Sequence, residues 1–316
     1  MFAGPPRTLP RGTWMTAMDA RLRTERELIR LSQLGSFLHK DSHRSTAVFY
    51  DARDKLRRKF HSELIESYTS DAADLGKDGS AALITAGPPG AGKSTEVKKL
   101  GLTGYRVIDP DVIKEHLLET ACTDGIFDDL LDLQLPDGRA LLPNELASLV
   151  HTESADLANA VLRRSIEDGV NVAIEGTFSW PNLKDRYLKW LLTGDYSHLT
   201  VVDVEVSRET AKAQARERWW GGREQAFAGT GSHLGGRFTP PEAIDGLYVA
   251  GATTASTCNA NAVALFNDPL ADLFDEVTLY VYDRTGISDE RSTYVARNGV
   301  KEGDAPVPLD VAPRTT

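Results

Sequence analysis

The sequence predicts an α/β fold of three layers, in which a mostly parallel β-sheet is covered by helices on both faces. Two observations support this prediction. Short apolar runs, typical of buried strands, alternate with longer segments whose apolar residues recur at helical spacing. Strands that alternate with helices are joined by right-handed crossovers, which make them parallel. The 316 residues, 41% apolar and 26% charged, are typical of a globular protein with one large domain or two small ones.

A helical extension is predicted at the N-terminus, ahead of the sheet. Residues 1–14 are rich in Pro and Gly and are predicted to be disordered. Residues 15–78 form the extension, with one helix from about Thr16 to Phe37 and a second from Ser45 to Ser67. The apolar side of the second helix is expected to contain Val48, Phe49, Leu56, Phe60, Leu64 and Ile65.

The predicted α/β domain covers residues 79–290. Its strands, in chain order, are AALITA, YRVI, VNVAIEGT, LTVVDVEVS and EVTLYVYDRTG, and the fifth is predicted to be the last strand. Helices are predicted in STEVKKL, DVIKEHLLE, NLKDRYLKWLLTG and RETAKAQARERWW. One long helix is also predicted, with Pro143 in its first turn and Gly169 at its end.

Three further segments lack a strong periodic pattern. The stretch GGREQAFAGTGSHLGGRFTP is Gly-rich and is predicted to be mobile. The stretch GATTASTCNANA is predicted to be either a loop or a helix packed closely on the sheet. Residues 291–316 are predicted to be a C-terminal tail, disordered after Gly299.

The formal net charge of −10 is unevenly distributed. Residues 1–70 carry 13 basic and 8 acidic side chains, whereas the remainder carries 23 and 38. An acidic body argues against a nucleic-acid partner, because a long nucleic-acid track needs a basic stripe. The basic N-terminal part is either a solvated helical surface or a surface that meets an acidic partner or the acidic body itself.

The compartment is predicted from apolar runs and cysteines. No apolar run reaches the roughly 18–20 residues of a membrane span, and the N-terminus lacks the apolar core of a signal peptide. Cys122 and Cys258 lie far apart without metal-ligand spacing, which indicates buried thiols in a reducing environment. We therefore expect a cytoplasmic protein with no membrane partner.

The stretch TAGPPGAGKST predicts a phosphate-binding loop. It matches the pattern G-x-x-x-x-G-K-[ST] at every fixed position, between an apolar strand and a helix. Lys93 is expected to reach the β- and γ-phosphates of a nucleotide, and the Ser94 hydroxyl is expected to bind Mg²⁺. The donor is predicted to be ATP or GTP. The predicted nucleotide-binding residues are Gly87, Pro88, Pro89, Gly90, Ala91, Gly92, Lys93, Ser94 and Thr95.

Polar side chains follow two other predicted strands, at the sheet edge where α/β proteins bind ligands. Asp109 and Asp111 follow the second strand, and one carboxylate is enough to cap the next helix. Asp111 is therefore favoured as the base that accepts a proton from a substrate hydroxyl, with Asp109 as its orienter. Glu175 and Thr177 follow the third strand and are expected to contact substrate, phosphate or a metal-bound water, unless they are only a polar strand end.

Motor and switch proteins that share such a loop need an acidic residue at the end of a second strand. Asp203 and Glu205 are the candidates, but strand alternation points both the same way and neither ends its run. Phosphoryl transfer is favoured instead, because arginines follow that complement the charge of its transition state. These are Arg208, Arg216, Arg218, Arg223 and Arg237. Arg216 and Arg223 are expected to be solvated helix arginines.

Taken in order, GPPGAGKS, VIDPDVIK, VAIEGT, ERW and RFTP resemble the zeta toxins, P-loop kinases that phosphorylate UDP-N-acetylglucosamine. The resemblance runs from about Ala81 to Gly286 and implies a P-loop kinase-like fold. It implies that Asp111 is the base for the 3′-hydroxyl of the amino sugar, and that Glu175 and Thr177 contact substrate and phosphate. The resemblance makes Arg218 in ERW and Arg237 in RFTP a phosphate clamp; the segment between them is longer than in the family, so Arg223 is kept as deputy to Arg218.

The resemblance also implies the remaining catalytic residues and a partner. Lys93 with Arg218 and Arg237 would grip the phosphates. Asn159 aligns where some members place a substrate-contacting Glu, and an amide lacks that charge. Members are toxins that a small helical antitoxin blocks, so we expect such a partner or cis-inhibition by the N-terminal helices; alternatively, those helices brace the sheet. Kinases with NAD, nucleoside or antibiotic acceptors, and a non-catalytic nucleotide-gated binding protein, are the alternatives.

Overall fold

The computed structural model describes residues 11–51, 53–70, 75, 80–286 and 288–309, with side chains from residue 19 onward. Most of the segment predicted to be disordered, residues 1–14, lies outside these residues. The first helix begins at Arg11, about five residues before the predicted start.

Seven strands form one sheet in the order β2-β3-β1-β4-β5-β6-β7. The first five pair in parallel and the last two are antiparallel. The strands are β1 (Ala81–Ala86), β2 (Tyr105–Ile108), β3 (Asn171–Ile174), β4 (His198–Val206), β5 (Glu276–Arg284), β6 (Glu290–Arg297) and β7 (Val300–Glu302). All five predicted strands are confirmed, and their carboxyl ends share one edge of the sheet.

Eleven α-helices lie among the described residues. They are α1 (Arg11–Ser32), α2 (Thr46–Phe49), α3 (Lys55–Thr69), α4 (Lys93–Lys99), α5 (Pro110–Thr123), α6 (Asp128–Leu131), α7 (His151–Glu167), α8 (Pro181–Thr193), α9 (Arg208–Phe227), α10 (Pro241–Asp245) and α11 (Thr257–Phe266). Two 3₁₀-helices, Pro143–Val150 and Ala271–Leu273, complete the set. None of the described helices is both long and apolar enough to cross a membrane.

Each face of the parallel sheet packs against its own set of helices. In β4, Val202 and Val204 belong to one core cluster together with residues of α4 and α9. The alternate residues Leu199 and Val201 belong to the other cluster, with residues of α7, α8 and α11. The sheet is therefore the middle of three layers, as the alternating sequence pattern predicts.

The N-terminal extension packs into the core of the α/β domain. Leu28, Leu31 and Leu38 are fully buried in the larger core cluster. The Arg57 guanidinium donates to both carboxylate oxygens of Glu153 on α7, at 2.7 and 2.8 Å. Burial of a charged pair and of three leucines makes this extension part of the folded body, consistent with the expectation that it braces the sheet.

Several predicted helices have different limits in the structure. The helix predicted from Ser45 to Ser67 is two helices, because the Asp54 carboxylate caps a new start at α3. Val48, Phe49 and Leu56, predicted to be on its apolar side, are exposed. The long helix predicted from Pro143 begins as a 3₁₀-helix and becomes α-helical only at His151.

The C-terminal part also departs from the prediction. β5 is not the last strand, since β6 returns antiparallel to it and β7 pairs with β6. β7 and the described residues up to 309 lie where a disordered tail was expected after Gly299. The first four residues of β6 are exposed and polar, so the sequence lacks the apolar run that predicted the other strands.

Candidate functional site

The predicted phosphate loop connects β1 to α4 at the carboxyl edge of the sheet. Gly87 has φ 120°, and a Cβ there would lie 2.1 Å from the Val204 carbonyl oxygen. Only glycine therefore allows the loop to pass this close to β4. Ser94 and Thr95 lie in the first turn of α4.

Lys93 is folded back onto the loop. Its Nζ donates to the carbonyl oxygens of Gly87 and Pro88, at 2.8 and 2.9 Å. Burial lowers the pKa of Lys93, and the Arg218 guanidinium nearby lowers it further, against an opposing effect of Glu205. A phosphate group supplies the counter-charge that these carbonyls lack, so Lys93 is suited to bind an incoming anion.

Asp109 and Asp111 divide the two roles that the sequence left for them. The Asp109 carboxylate caps α5 by accepting from the Asp111 backbone N–H at 2.8 Å. The Asp111 side chain is left for other partners, and Lys114 Nζ donates to its Oδ1 at 2.9 Å. Burial raises the pKa of Asp111, but Lys114 and Arg237 outweigh it and hold the pKa below the usual value. These cations therefore favour the ionised carboxylate of Asp111.

Glu175 and Thr177 lie next to these groups. The Glu175 backbone N–H donates to the Ile108 carbonyl at 2.9 Å, which brings the end of β3 beside Asp109. Burial and the Asp109 charge raise the pKa of Glu175, and a hydrogen bond from Ser94 opposes them. The Thr177 carbonyl accepts from the Gly87 N–H at 3.1 Å. The residues that follow β2 and β3 therefore lie side by side, and Thr177 contacts the loop that follows β1.

Arg237 is held against α5. Its guanidinium forms an ion pair with the Asp111 carboxylate, donates to the Asp111 carbonyl at 3.1 Å and approaches Glu115 at 3.4 Å. Its backbone segment lies directly on α9, because a Cβ on Gly222 would be 2.5 Å from the Gly236 Cα. Gly222 and Gly236 therefore allow close packing between α9 and this segment. The stretch that was predicted to be mobile begins inside α9 and is helical up to Phe227.

Arg218 lies on α9, facing the loop. Its positive charge is close enough to Lys93 and Asp111 to lower the pKa of both. The side chain is exposed, and no hydrogen bond or ion pair joins it to another of the described residues. Arg218 and Arg237 therefore both lie near Asp111, and the sequence predicts that these two arginines bind phosphate.

Arg223 is not a solvated arginine and is not placed to act as deputy to Arg218. Its side chain is fully buried and donates to both carboxylates of Asp137 and Glu145, at 2.8 to 3.0 Å. Glu145 also accepts from Trp219 Nε1 at 2.8 Å. This network fixes the second half of α9. Because Asp137 and Glu145 lie far from α9 along the chain, spacing in the sequence did not reveal this network.

The other predicted polar residues have different surroundings. Arg216 is partly exposed, and it pairs with Glu25 of α1. Asn159 lies two turns into α7, half-buried, and no hydrogen bond among the described residues joins it to the loop or to Asp111. Asp203 and Glu205 are fully buried on the α11 side of β4, where Asn259 donates to Asp203 at 2.7 Å.

Lys114 belongs to the site but was missed in the sequence. It lies three residues after Asp111, and the helical spacing i, i+3 places both on one face. Among the described residues, no group of three or more His, Cys, Asp or Glu side chains is arranged to hold a metal ion. The oxygen donors near the loop, Ser94 and Glu175, fit Mg²⁺, because that ion keeps waters and phosphate oxygens as its other ligands.

Comparison with known proteins agrees with the fold. A crystal structure of AvrRxo1-ORF1:-ORF2 with ATP matches with a TM-score of 0.50 at 15% identity, over 78% of this chain and 69% of that chain. A structure of the PezAT chromosomal toxin-antitoxin system of Streptococcus pneumoniae matches with a TM-score of 0.47 at 16% identity, over 76% and 81%. At this identity the first match shows a shared fold.

A curated relative matches part of the sequence. The Calmodulin calcium-dependent NAD kinase of Arabidopsis thaliana is 31% identical over 117 residues, which are 34% of this chain and 20% of that protein. The chain therefore spans about a fifth of the length of this relative. The Zeta toxin family model matches residues 128–285, half of the chain, from α6 to the end of β5. The chain belongs to the zeta toxin family.

Proposed function

We propose that the protein is an ATP-dependent kinase that phosphorylates the 3′-hydroxyl of the amino sugar of UDP-N-acetylglucosamine. One observation carries the proposal: the Asp111 carboxylate lies among Lys114, Arg218 and Arg237, at the edge of the phosphate loop. A base, a phosphate cradle and cationic side chains in one place are what phosphoryl transfer to an alcohol requires. Membership in the zeta toxin family supports the acceptor.

Each group has a role in this proposal. Lys93 moves from the Gly87 and Pro88 carbonyls to the β- and γ-phosphates, and Asp111 accepts the proton of the attacking hydroxyl. Arg218 and Arg237 complement the charge that spreads over the transferred phosphoryl group. Asp109 holds the start of α5, and with it the Asp111 carboxylate, in place.

Magnesium is part of the proposal. Ser94 would bind it, with Glu175 orienting a bound water, and the ion would neutralise phosphate charge when bound. The crystal structure of AvrRxo1-ORF1:-ORF2 with ATP shares the fold of this chain, and this similarity supports ATP as the phosphoryl donor. Thr177 and Asn159 are proposed as substrate contacts, and for Asn159 this rests on alignment alone.

NAD is the second candidate acceptor. The matching plant protein is described as an NAD kinase, and an amide at Asn159 lacks the charge of the Glu found in some zeta toxins. Both candidates carry sugar hydroxyls and a nucleoside joined through a diphosphate, so the same base and the same arginines could act on either acceptor. The difference lies in the groups that bind the rest of the acceptor.

Incubation with MgATP and each acceptor, followed by mass spectrometry, tests the proposal. UDP-N-acetylglucosamine should gain one phosphoryl group, and Lys93→Ala should abolish the gain while the melting temperature is kept. If only NAD gained a phosphoryl group, NAD would replace UDP-N-acetylglucosamine as the proposed acceptor. ATP binding without transfer to either, or to nucleosides or antibiotics, would favour a nucleotide-gated binding protein.

We also propose a partner and a location. The solved relative is a complex of two gene products, which supports an antitoxin-like protein that binds this chain. A reaction that consumes ATP and a nucleotide sugar takes place in the cytoplasm. Copurification of the full chain with the product of a neighbouring gene is the test of the partner.

A further inference from the structure

Helix α1 of the N-terminal extension lies against the outer side of α9. The Arg216 Nε donates to Glu25 Oε1 at 2.6 Å, and Arg21 donates to both carboxylate oxygens of Glu217, at 2.7 and 3.2 Å. The Glu25 side chain is only 7% exposed, whereas Glu217 is 70% exposed. The Glu25 carboxylate is therefore largely removed from solvent, although its partner Arg216 is 38% exposed; in the other pair Arg21 is 18% exposed and Glu217 lies in solvent.

The phosphate loop lies on a different side of α9. A Cβ on Gly90 would lie 3.0 Å from the Gln214 Cβ, and 3.5 Å from the Ala211 carbonyl and the Ala215 N. Arg218 follows Gln214 by four residues and Ala215 by three, which places it on the same side. Arg216 is two positions from Arg218, so their side chains point about 200° apart around the helix. Helix α9 is thus held between α1 and the loop.

Both clamp arginines depend on the position of α9. Arg218 is part of this helix, and the segment that carries Arg237 is packed on it through Gly222 and Gly236. Buried side chains fix the second half of α9 through Arg223 and Trp219, and Trp219 directly follows Arg218; both act from the side of α9 that faces Asp137 and Glu145. The Arg216–Glu25 pair attaches the outer side of the turn that carries Arg218 to α1, through a carboxylate that is only 7% exposed.

We propose that Glu25 is a positioning residue, which holds Arg216 so that α9 presents Arg218 to the phosphates. The N-terminal extension is then a permanent part of the site and not a cis-acting inhibitor. This proposal rests on the proposed function for the role of Arg218. An inhibitor in cis would have to lie on the loop side of α9, whereas α1 lies on the other side and buries Leu28 and Leu31 in the core.

The test uses the full chain and a mimic of the transferred phosphoryl group, so that it does not depend on the acceptor. Binding of MgADP alone and of MgADP with aluminium fluoride is measured for the wild type, Glu25→Gln, Arg218→Ala and the double variant. The matched control is Glu27→Gln, because Glu27 lies on the same helix but pairs with Arg30 at the surface.

Glu25→Gln should weaken binding of the aluminium fluoride complex roughly tenfold, since misplacement of a clamp by about 1 Å is costly. Affinity for MgADP alone should stay unchanged, and Glu27→Gln should match the wild type in both. In the Arg218→Ala background, Glu25→Gln should have no further effect, because Glu25 acts through Arg218. A residue that only stabilises the fold would give additive losses.

Three results would overturn the proposal: an unaffected Glu25→Gln, additive losses in the double variant, or a gain of binding or toxicity in Glu25→Gln. If Glu25→Gln does not fold, Arg216→Gln removes the same pair from the other side and is read in the same way. A wild type that binds the mimic but phosphorylates no acceptor would contradict the proposed function and leave the result on Glu25 standing. A wild type that does not bind the mimic would overturn both.

Discussion

The guanidinium of Arg237 forms an ion pair with the carboxylate of Asp111. The candidate clamp and the candidate base thus neutralise each other's charge. A γ-phosphate carries more negative charge than a carboxylate, so it competes for Arg237 and leaves Asp111 with Lys114 as its cationic partner. Binding of the donor would in this way free the base at the moment when the acceptor hydroxyl needs it.

The role of Asp111 is tested by Asp111→Asn. The amide keeps the size of the side chain but accepts no proton, so turnover should fall by about 10²- to 10⁴-fold. Affinity for MgATP and the melting temperature should change little. Asp124→Asn, at the other end of α5, is the control, and near-normal turnover of Asp111→Asn would exclude Asp111 as the base.

The pH profile of turnover depends on Lys114. Lys114 lowers the pKa of Asp111, so the base stays ionised as the pH falls. Lys114→Met removes this cation, and the Asp111 pKa rises. The acid limb of kcat/KM should therefore move to higher pH, whereas Lys59→Met, at an exposed pair on α3, should leave it in place. An unshifted limb in Lys114→Met would mean that another group sets it.

The close contact between α9 and the Arg237 segment is tested by Gly236→Ala. The added Cβ would lie 2.0 Å from the Trp219 carbonyl oxygen, so the segment must move and carry Arg237 with it. Turnover should fall about tenfold or more, and the free energy of unfolding by about 1–3 kcal/mol. Gly221→Ala, which meets nothing within 4 Å, is the control and should fold at least as stably.

Arg223 should matter for stability and not for phosphate binding. Arg223→Met leaves Asp137 and Glu145 without the cation that both share, which should cost about 3–5 kcal/mol in urea unfolding. Arg297→Met, at an exposed arginine, should cost less than about 1 kcal/mol. If Arg223→Met were as stable as the wild type but no longer bound the phosphoryl mimic, its assignment as deputy clamp would be restored.

The contact between the extension and α7 should make stability pH-dependent. Burial raises the pKa of Glu153, but hydrogen bonds from His61 and Arg57 outweigh it and lower the pKa to about 2. Because the pKa of Glu153 is lower in the folded state, its ionised carboxylate stabilises the fold fully at pH values above 4.5, the pKa in the unfolded chain. This stabilisation is lost as the pH falls from there towards 2. The loss is on the order of 3 kcal/mol.

Urea unfolding between pH 6 and pH 2.5 measures this loss. Glu153→Gln should flatten the dependence, while it lowers stability at neutral pH because Arg57 loses its partner. Glu63→Gln, from an exposed pair on α3, should keep the slope of the wild type. An equal slope in Glu153→Gln would show that other carboxylates carry the acid sensitivity.

The phosphate loop and the carboxylates at the strand ends could be predicted from the sequence, because each of these signals involves only a few neighbouring residues. The loop glycines, Lys93 and Ser94 follow one strand, and Asp109, Asp111 and Glu175 follow two others. Parallel strands bring such ends together at one edge, whatever else the chain does. The division of roles between Asp109 and Asp111 was also open to local reasoning, since a helix cap is a contact two residues long.

The arginines could not be sorted in this way. Arg216, Arg218 and Arg223 follow each other on one helix, and Arg216 and Arg223 were both expected to be solvated. The structure separates them by their long-range partners: Glu25 for Arg216, the loop side of α9 for Arg218, and Asp137 with Glu145 for Arg223. None of those partners lies near the helix in the sequence.

The sequence by itself determined the parallel core of the sheet, the phosphate loop and the carboxylates at the strand ends. These follow from backbone periodicity and from chemistry within a few residues. Only the tertiary structure decided that the N-terminal extension is buried in the core, that two more strands extend the sheet, and that Gly222 and Gly236 bring Arg237 to Asp111. These depend on packing between distant segments, which a local pattern does not encode.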